Sequence, residues 1–317
     1  MSGAPAALAG DRIRVEVEAA VCAEPELAWR ESVSPPAIAP GGAAVGRVVD
    51  TGEGAAHLAG SRVLVGPLDP CGECERCRRG LPFACPDGRA LGASAPGALA
   101  GEVEVRARWV TELAGGLTLD GPLAALLARE AADAYALHAR AGLAAGEPVV
   151  VLGRGPVARL VAQIASARGA RVVVASAGEP GSVERVLSHL AEHAGGGRPV
   201  KILAAAGGAG DDDELGLALR LARPGALVAV LAREPRPSEG AAGDIAALLA
   251  GGGALVGMPA AHPDLVPEVT ALAVKGELDL AAAAEVHPAG RGLAEPAALA
   301  AAARAALVAG RALVVAF

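Results

Sequence analysis

Residues 71–85, CGECERCRRGLPFAC, contain four of the five cysteines of the chain, at the spacing C-x2-C-x2-C-x7-C. Gaps of two residues let a chain turn around one ion and aim successive sulfurs inward, and Gly72 and Gly80 permit the tight backbone that this needs. Zn²⁺ takes four thiolates in a closed tetrahedron that leaves no position for water. The spacing therefore predicts one structural zinc, held by Cys71, Cys74, Cys77 and Cys85.

Two disulfide bonds are the alternative for these cysteines. Cys71 and Cys74 are too close in sequence for an easy bridge, and the first ten residues lack the basic and apolar segments of a signal peptide. A reduced, cytoplasmic setting is expected, and it suits thiolate ligation better than disulfides.

Composition limits the function classes further. A chain of 317 residues suggests about two domains, and 53% hydrophobic residues with only 2% aromatic ones predict a core of Ala, Val and Leu. A net charge of −7 argues against a nucleic-acid partner. No apolar run reaches membrane length without Gly, Pro or charge, so no membrane span is expected.

The first part of the chain is typical of β structure. Ile13, Val15 and Val17 alternate with charged residues, as in a half-buried strand. The strands expected here are Arg12–Val21, Val45–Val49, Ser61–Val65 and Glu102–Val110. Together they indicate an antiparallel β unit with many Gly and Pro corners.

From residue 122 onward the pattern changes to alternating helices and strands. A helix is expected over Pro122–Ala141, with His138 on its exposed side, and then a fully buried strand over Pro148–Leu152. Further strands are expected at Arg171–Ser176, Lys201–Ala205, Ala226–Leu231, Ala254–Gly257 and Arg311–Phe317. Further helices are expected at Ala158–Arg168, Val183–His193, Glu214–Ala222, Asp264–Lys275 and Pro296–Leu307. This order predicts a doubly wound parallel sheet and an α/β fold class.

Residues 153–158, G-R-G-P-V-A, stand between the first of these strands and the helix after it. Gly153 permits a tight turn, Gly155 lets the backbone approach a pyrophosphate, and Ala158 allows close packing of helix and strand. A generic turn in a glycine-rich protein is the alternative. The context favours dinucleotide binding by Gly153, Gly155, Pro156, Val157 and Ala158.

The end of the second strand bears on which dinucleotide would bind. An acidic residue there would hold the ribose 2′-hydroxyl of NAD, but the strand ends at Ser176 and Glu179 stands three residues on. Ser176 could bond a 2′-phosphate, with help from Arg185, which favours NADP(H) over NAD(H). The later run Asp211-Asp-Asp-Glu214 is interpreted only as an acidic helix start, favoured by the helix dipole.

The cysteine loop followed by a Rossmann-type half resembles the medium-chain dehydrogenase/reductase superfamily, of the zinc-containing alcohol dehydrogenase type. The segments Gly41–Val49 and Gly310–Val315 support the resemblance. It implies a GroES-like β-rich domain over residues 1–121, completed by 286–317, and a Rossmann dinucleotide-binding domain over 122–285. It also implies a small-molecule substrate and a homo-oligomer, a dimer or a tetramer.

Catalytic members of that superfamily hold a second zinc, whose ligand positions can be compared with this chain. Cys22 fits the first position, but the His-Glu pair falls on Gly42 and Ala43, and the third ligand falls on Arg129. Glu24 stands where a proton-relay hydroxyl is expected. The resemblance therefore predicts no catalytic zinc, since such a site needs about three protein ligands. Cys22 is alternatively a small buried hydrophobe.

Two functions follow from the resemblance. The first is an NAD(P)-dependent oxidoreductase acting on a C–OH, C=O or activated C=C group, with catalytic candidates Cys22, Glu130 and Tyr135 and with Arg129 as a further donor in the cleft. The second is a non-catalytic relative that serves as a binding or assembly subunit.

Overall fold

A computed structural model of the protein describes residues 7–22, 38–113, 119, 121–193, 200–206, 213–232, 240–259, 263–289 and 296–317. Glu24, Asp211 and Asp212 lie outside the described residues.

The described residues form these strands: β1 Arg12–Cys22, β2 Ala43–Thr51, β3 Arg62–Val65, β4 Leu68–Asp69, β5 Arg89–Ala90, β6 Glu102–Arg106, β7 Val110–Glu112, β8 Pro148–Leu152, β9 Arg171–Ala175, β10 Lys201–Ala206, β11 Leu227–Ala232, β12 Ala254–Gly257, β13 Ala284–Pro288 and β14 Ala312–Ala316. They also form these α-helices: α1 Glu75–Arg78, α2 Gly121–Ala124, α3 Glu130–Ala141, α4 Pro156–Ala167, α5 Ser182–His193, α6 Glu214–Leu221, α7 Ala241–Ala250, α8 Val266–Val274 and α9 Pro296–Val308. Short 3₁₀ turns lie at Glu53–Leu58, Pro82–Ala84, Ala98–Ala100, Ala107–Trp109, Ala125–Ala128, Pro263–Leu265 and Ala281–Ala283.

The first sheet has the strand order β13-β14-β1-β2-β3-β7, and β6 also pairs with β1. All its pairs are antiparallel except β13 with β14. The β1–β2 register shifts between Val17 and Ala19. Such an irregularity changes which side chains face each side of a strand. Val17 consequently lies in a different apolar cluster from Ala19 and Val21, and Cys22, on the face opposite Val21, packs with helix α9.

The second sheet is parallel, with the order β12-β11-β10-β8-β9. Its strands read as continuous apolar runs, because helices cover both faces; Val149–Leu152 have no exposed surface. The chain passes from β8 outward to β9 and then returns to β10 on the other side of β8. Sheets of this kind bind ligands in a crevice at the point where the strand order reverses. Here that crevice lies outside the carboxyl ends of β8 and β10.

A single apolar cluster joins the two sheets. It contains Val21 and Leu64 from the first sheet, Val149 and Leu203 from the second, and Leu127 between them. Strands β13 and β14 return to the first sheet. The division into 1–121 with 286–317 and 122–285 stays a prediction. The prediction of one continuous helix over Pro122–Ala141 is wrong: the stretch is divided into α2, a 3₁₀ turn and α3.

The interruption of that helix lies at Arg129, whose backbone dihedrals are φ −140° and ψ −74°. Before it, Ala125–Ala128 form a 3₁₀ turn packed against β2 and β3. No Gly or Pro marks this point, so tertiary packing overrides a good helical sequence.

His138 is also buried (8% exposed), contrary to the exposed position predicted for it. Its burial and the cations Arg168 and Lys201 lower the pKa of its imidazole.

Other boundaries differ less. The predicted strand Glu102–Val110 is divided into β6 and β7 by the 3₁₀ turn Ala107–Trp109. Strand β13 and helix α7 were not predicted. Helix α7 is rich in alanine, which lies equally well inside or outside, so its sequence has no clear period.

Candidate metal centre and nucleotide-binding turn

The cysteine loop is closed at its base by the β4–β5 ladder, in which Leu68 pairs with Ala90 and Asp69 with Arg89. Within the loop, the sulfur of Cys74 accepts a hydrogen bond from the N–H of Cys77 at the start of α1 (3.5 Å). Gly72, at φ +79°, makes the turn after the first cysteine in a conformation that glycine adopts at little cost. These reversals bring all four cysteines to one side of the loop.

The four sulfurs form a compact cluster, with every pair of ligand atoms within 4.8 Å. Cys85 Sγ lies 3.5 Å from Cys71 Sγ and 3.9 Å from Cys74 Sγ, and Cys77 Sγ lies 4.0 Å from Cys71 Sγ. A tetrahedral centre with Zn–S bonds of about 2.3 Å places sulfurs about 3.8 Å apart. All five cysteines are free. The cluster therefore has the geometry of a zinc tetrathiolate centre and not of two disulfides.

The ionisation of these thiols is strongly uneven. Backbone N–H groups of Glu73 and Cys74 lower the pKa of Cys71 to about 7. Desolvation and the neighbouring cysteines raise the pKa of Cys77 to about 12. Adjacent thiolates repel one another, so a divalent cation at the centre is what lets all four be deprotonated together.

Asp69, at the base of the loop, has no exposed surface and meets three arginines. Its Oδ2 lies 2.8 Å from Arg89 Nη2 and 3.3 Å from Arg12 Nη1, and its Oδ1 lies 3.2 Å from Arg106 Nη1. Its Oδ1 also accepts the Arg106 backbone N–H at 3.1 Å. One buried carboxylate thus joins β1, β5 and β6 to the entrance of the cysteine loop.

The last residue of β6 and the residues after it hold the same entrance. Trp109 Nε1–H donates to Pro70 O at 2.8 Å, and Arg106 Nη1 donates to the carbonyls of Asp69 and Pro70 at 3.0 and 3.1 Å. The side chain of Arg108 lies over Gly72, where a β-carbon would come within 2.8 Å of its Cδ. The loop is therefore held from outside as well as by its own turns.

We expect Asp69→Asn to destabilise the protein by about 2–4 kcal/mol, because removing one partner of a buried ion pair leaves the others uncompensated, here in part exposed to water. Urea unfolding and the rate of zinc transfer to a chromophoric chelator measure the effect, and faster zinc release is expected. Asp50→Asn is the control. Asp50 also pairs with an arginine (Arg14, 2.9 Å), but it is 42% exposed, and about 1 kcal/mol or less is expected. Equal losses for the two variants would contradict the role assigned to Asp69.

The glycine turn lies at the carboxyl end of β8. Gly153 has φ +128°, and its N–H donates to Ala175 O at 2.9 Å, which ties the turn to the end of β9. A β-carbon here would lie 2.7 Å from Ala205 O in β10 and 3.3 Å from Ala158 Cβ. Gly155 then caps helix α4, and Pro156 and Val157 are buried in its first turn. The turn offers backbone and a helix N-terminus, the arrangement that binds a pyrophosphate.

Ser176 does not present its hydroxyl to solvent. It is 1% exposed, and its Oγ–H donates to Glu214 Oε1 at 2.7 Å. Arg185 Nη2 is paired with Glu179 Oε2 at 2.9 Å. The two groups expected to bind a 2′-phosphate thus contact carboxylates in this structure, and the preference for NADP(H) over NAD(H) stays a prediction.

The chain is similar to known dehydrogenases. The alcohol dehydrogenase GroES-like domain matches residues 9–115. The chain is 39% identical over 131 residues to the 2-dehydro-3-deoxy-L-galactonate 5-dehydrogenase of Pseudoalteromonas atlantica, covering 41% of this chain and 37% of that one. It is 34% identical over 146 residues to the L-galactonate-5-dehydrogenase of Escherichia coli, covering 46% and 42%. Residues 9–115 therefore carry an alcohol dehydrogenase GroES-like domain, and the similar proteins are dehydrogenases.

The matches thus span about two-fifths of the length of these curated relatives, whereas the fold is shared throughout. Alcohol dehydrogenase TADH from Thermus sp. ATN1 superposes with a TM-score of 0.79 at 23% identity, over 100% of this chain and 95% of that one. Galactitol-1-phosphate dehydrogenase from Escherichia coli gives 0.80 at 18% identity, over 100% and 96%. The α/β fold of a GroES-like unit and a parallel Rossmann-like sheet is confirmed.

The remaining candidates lie around the junction between the sheets. Cys22 is 1% exposed and packs among alanines and leucines of α9 and β14, on the side of β1 opposite Val21. Arg129 and Glu130 are 7% and 1% exposed, and Arg129 Nε lies 3.8 Å from Glu130 Oε1. Tyr135 packs against the shared apolar cluster, with its ring 6.3 Å from that of His138. Arg129 and Glu130 thus form an ion pair, whereas Cys22 and Tyr135 lie in different apolar clusters.

Sequence reasoning missed two functional candidates, Asp69 and Glu214. Asp69 precedes Pro70 in the loop entrance and gives no signal of its three distant arginine partners. Glu214 belongs to a visible acidic run, but its contact with Ser176 joins residues 38 positions apart. Only the packing of α6 beside the end of β9 could reveal it.

Within the described part of the chain, no helix combines the length and the apolar character needed to cross a membrane.

Proposed function

We propose that the protein is an NAD(P)-dependent oxidoreductase that transfers hydride between a nicotinamide cofactor and a small alcohol or carbonyl compound. The observation that carries the proposal is the position of the Gly153–Ala158 turn at the point where the strand order of the parallel sheet reverses. Pyrophosphate would be held by Gly155 and the first turn of α4, while the junction with the first sheet would receive the substrate.

The proposed substrates are polyhydroxylated acids and polyols. The names of the similar proteins support this class, since they include galactonate, dehydro-deoxy-galactonate and sorbitol dehydrogenases.

A homo-oligomer, dimer or tetramer, is proposed as well. Strands β9 and β12 form the edges of the parallel sheet, and Val174 on β9 is 42% exposed, which suits such an assembly.

The proposed metal content is one structural zinc per chain, at Cys71, Cys74, Cys77 and Cys85, with no catalytic zinc. The sulfur geometry supports the first part. The second is supported by the residues at the compared ligand positions: Gly42 and Ala43 offer no ligand atom, Arg129 is a cation, and Cys22 is packed among apolar side chains. Without a Lewis acid, developing oxyanion charge needs another donor, and the buried Arg129 is the proposed one.

A non-catalytic binding or assembly subunit is the second candidate, favoured by those same positions. Three measurements on the purified protein test the proposal, and the last two distinguish the two candidates. Metal analysis is expected to give one zinc per chain. Titration of NADH and NADPH, followed by nicotinamide fluorescence, is expected to show saturable binding, and oxidation of sugar acids and polyols is expected to reduce the added NAD or NADP. Absence of binding at millimolar cofactor would reject the oxidoreductase and leave the subunit.

A further inference from the structure

A buried carboxylate from another element lies at the end of strand β9, where the strand itself has no acidic residue. Glu214, the first residue of α6, is 5% exposed. Its Oε1 accepts the Ser176 hydroxyl at 2.7 Å, and its Oε1 and Oε2 accept the Ala177 N–H at 3.3 and 3.2 Å. A glutamate from a different element thus reaches the position where the strand itself has only Ser and Ala.

The local structure fixes this contact from both sides. The Ser182 hydroxyl donates to Ser176 O at 2.8 Å, so the end of β9 is tied to the start of α5. On the other side, Asp213 caps α6 by accepting the Gly216 N–H at 2.7 Å. Glu214 is therefore held in one place by the cap of its own helix and by two donors from the residues just after β9.

The position matters because it adjoins the glycine turn. Gly153 N–H bonds Ala175 O, the last residue of β9, so the turn and the strand end are one unit. In dinucleotide-binding sheets the adenosine ribose lies between this turn and the end of the second strand, where an acidic residue binds the 2′-hydroxyl of NAD and an arginine accommodates the 2′-phosphate of NADP. Here the second strand is β9.

We propose that Glu214 sets cofactor selectivity, so that the protein binds NAD(H) in preference to NADP(H); this rests on the proposed dinucleotide binding. A phosphate monoester carries about −1.5 to −2 charges at neutral pH. A 2′-phosphate at this strand end would face the carboxylate through a single Ser176 side chain, in a place shielded from water, where like charges repel strongly. Arg185, the cation on α5, is paired with Glu179.

A purely structural role for Glu214, as a brace between α6 and β9, makes a different prediction. Removing its charge would then lower stability but leave the ratio of the two cofactor affinities unchanged. The ratio of dissociation constants for NADPH and NADH is therefore the decisive readout, and thermal melting monitors the structural contribution separately.

The experiment measures both dissociation constants by nicotinamide fluorescence for the zinc-loaded full-length protein and for Glu214→Gln. The wild-type protein is expected to bind NADH at least about tenfold more tightly than NADPH, and Glu214→Gln to shrink that ratio about fivefold or more. Glu147→Gln is the matched control. Glu147 is also a partly buried, paired glutamate (Lys201 Nζ at 2.9 Å), but it precedes β8 at the opposite end of the sheet, so no change in the ratio is expected.

Each other outcome is informative. Equal affinities for NADH and NADPH in the wild-type protein would overturn the selectivity inference while the proposed oxidoreductase stands. A folded Glu214→Gln protein with the wild-type ratio would overturn the role of Glu214. Absence of binding of both cofactors would overturn the proposed function and this inference together. Competition by ADP-ribose against 2′-phospho-ADP-ribose on the wild-type protein gives the same comparison without relying on the variant.

Discussion

Replacement of Cys74 by Ser is expected to remove the bound zinc, from about one ion per chain to below about 0.1, because a tetrahedral thiolate centre with three sulfurs and a hydroxyl binds Zn²⁺ far more weakly. Cys74 contributes one sulfur to the cluster and also caps α1 through the Cys77 N–H. Its loss should therefore unfold the loop between β4 and β5 locally. A fall in melting temperature of about 10 °C is expected, if the lost metal binding is worth a few kcal/mol of stability.

Metal analysis after gel filtration and a calorimetric melt make the measurement. Cys22→Ala is the matched control, since Cys22 is the one cysteine outside the loop and packs among alanines and leucines. This variant should keep one zinc per chain and lose only about 1 kcal/mol of stability, the cost of a small cavity. Zinc retained by Cys74→Ser, or lost by Cys22→Ala, would contradict the assignment of the metal to the loop.

Replacement of Gly153 by Ala is expected to abolish measurable cofactor binding and to destabilise the protein by about 2–4 kcal/mol. Two causes act together. The residue has φ +128°, which side chains rarely adopt, and its new β-carbon would lie 2.7 Å from Ala205 O. Relief of that contact must move the turn away from β10, and the backbone that would receive the pyrophosphate moves with it.

Gly146→Ala separates the two causes. Gly146 also has a positive φ (+76°), but a β-carbon there meets nothing within 4 Å. Its variant should lose about 1 kcal/mol from backbone strain and bind cofactor like the wild-type protein. Urea unfolding and fluorescence titration of NADH compare the pair. Wild-type affinity in a folded Gly153→Ala protein would show that the turn does not hold the nucleotide.

Several features of the protein follow from short-range chemistry and could be predicted from the sequence. The spacing of Cys71, Cys74, Cys77 and Cys85 predicted one cluster of four sulfurs, because gaps of two residues let the chain turn around one ion. The alternation in β1 and the apolar runs of β8 and β9 predicted one half-buried and one fully buried sheet. The Gly153 turn was predicted from its place between a strand and a helix.

Tertiary structure decided what depends on contacts between distant residues. The packing of Ala125–Ala128 against β2 and β3 broke a helix that nothing in its sequence interrupts, and the fold also buries His138. Three arginines from β1, β5 and β6 converge on Asp69. Glu214 reaches the end of β9 from helix α6 and accepts the Ser176 hydroxyl. Local patterns specify which elements form, but the charge at a site is set by whichever side chains the fold brings there, and sequence spacing carries no record of that.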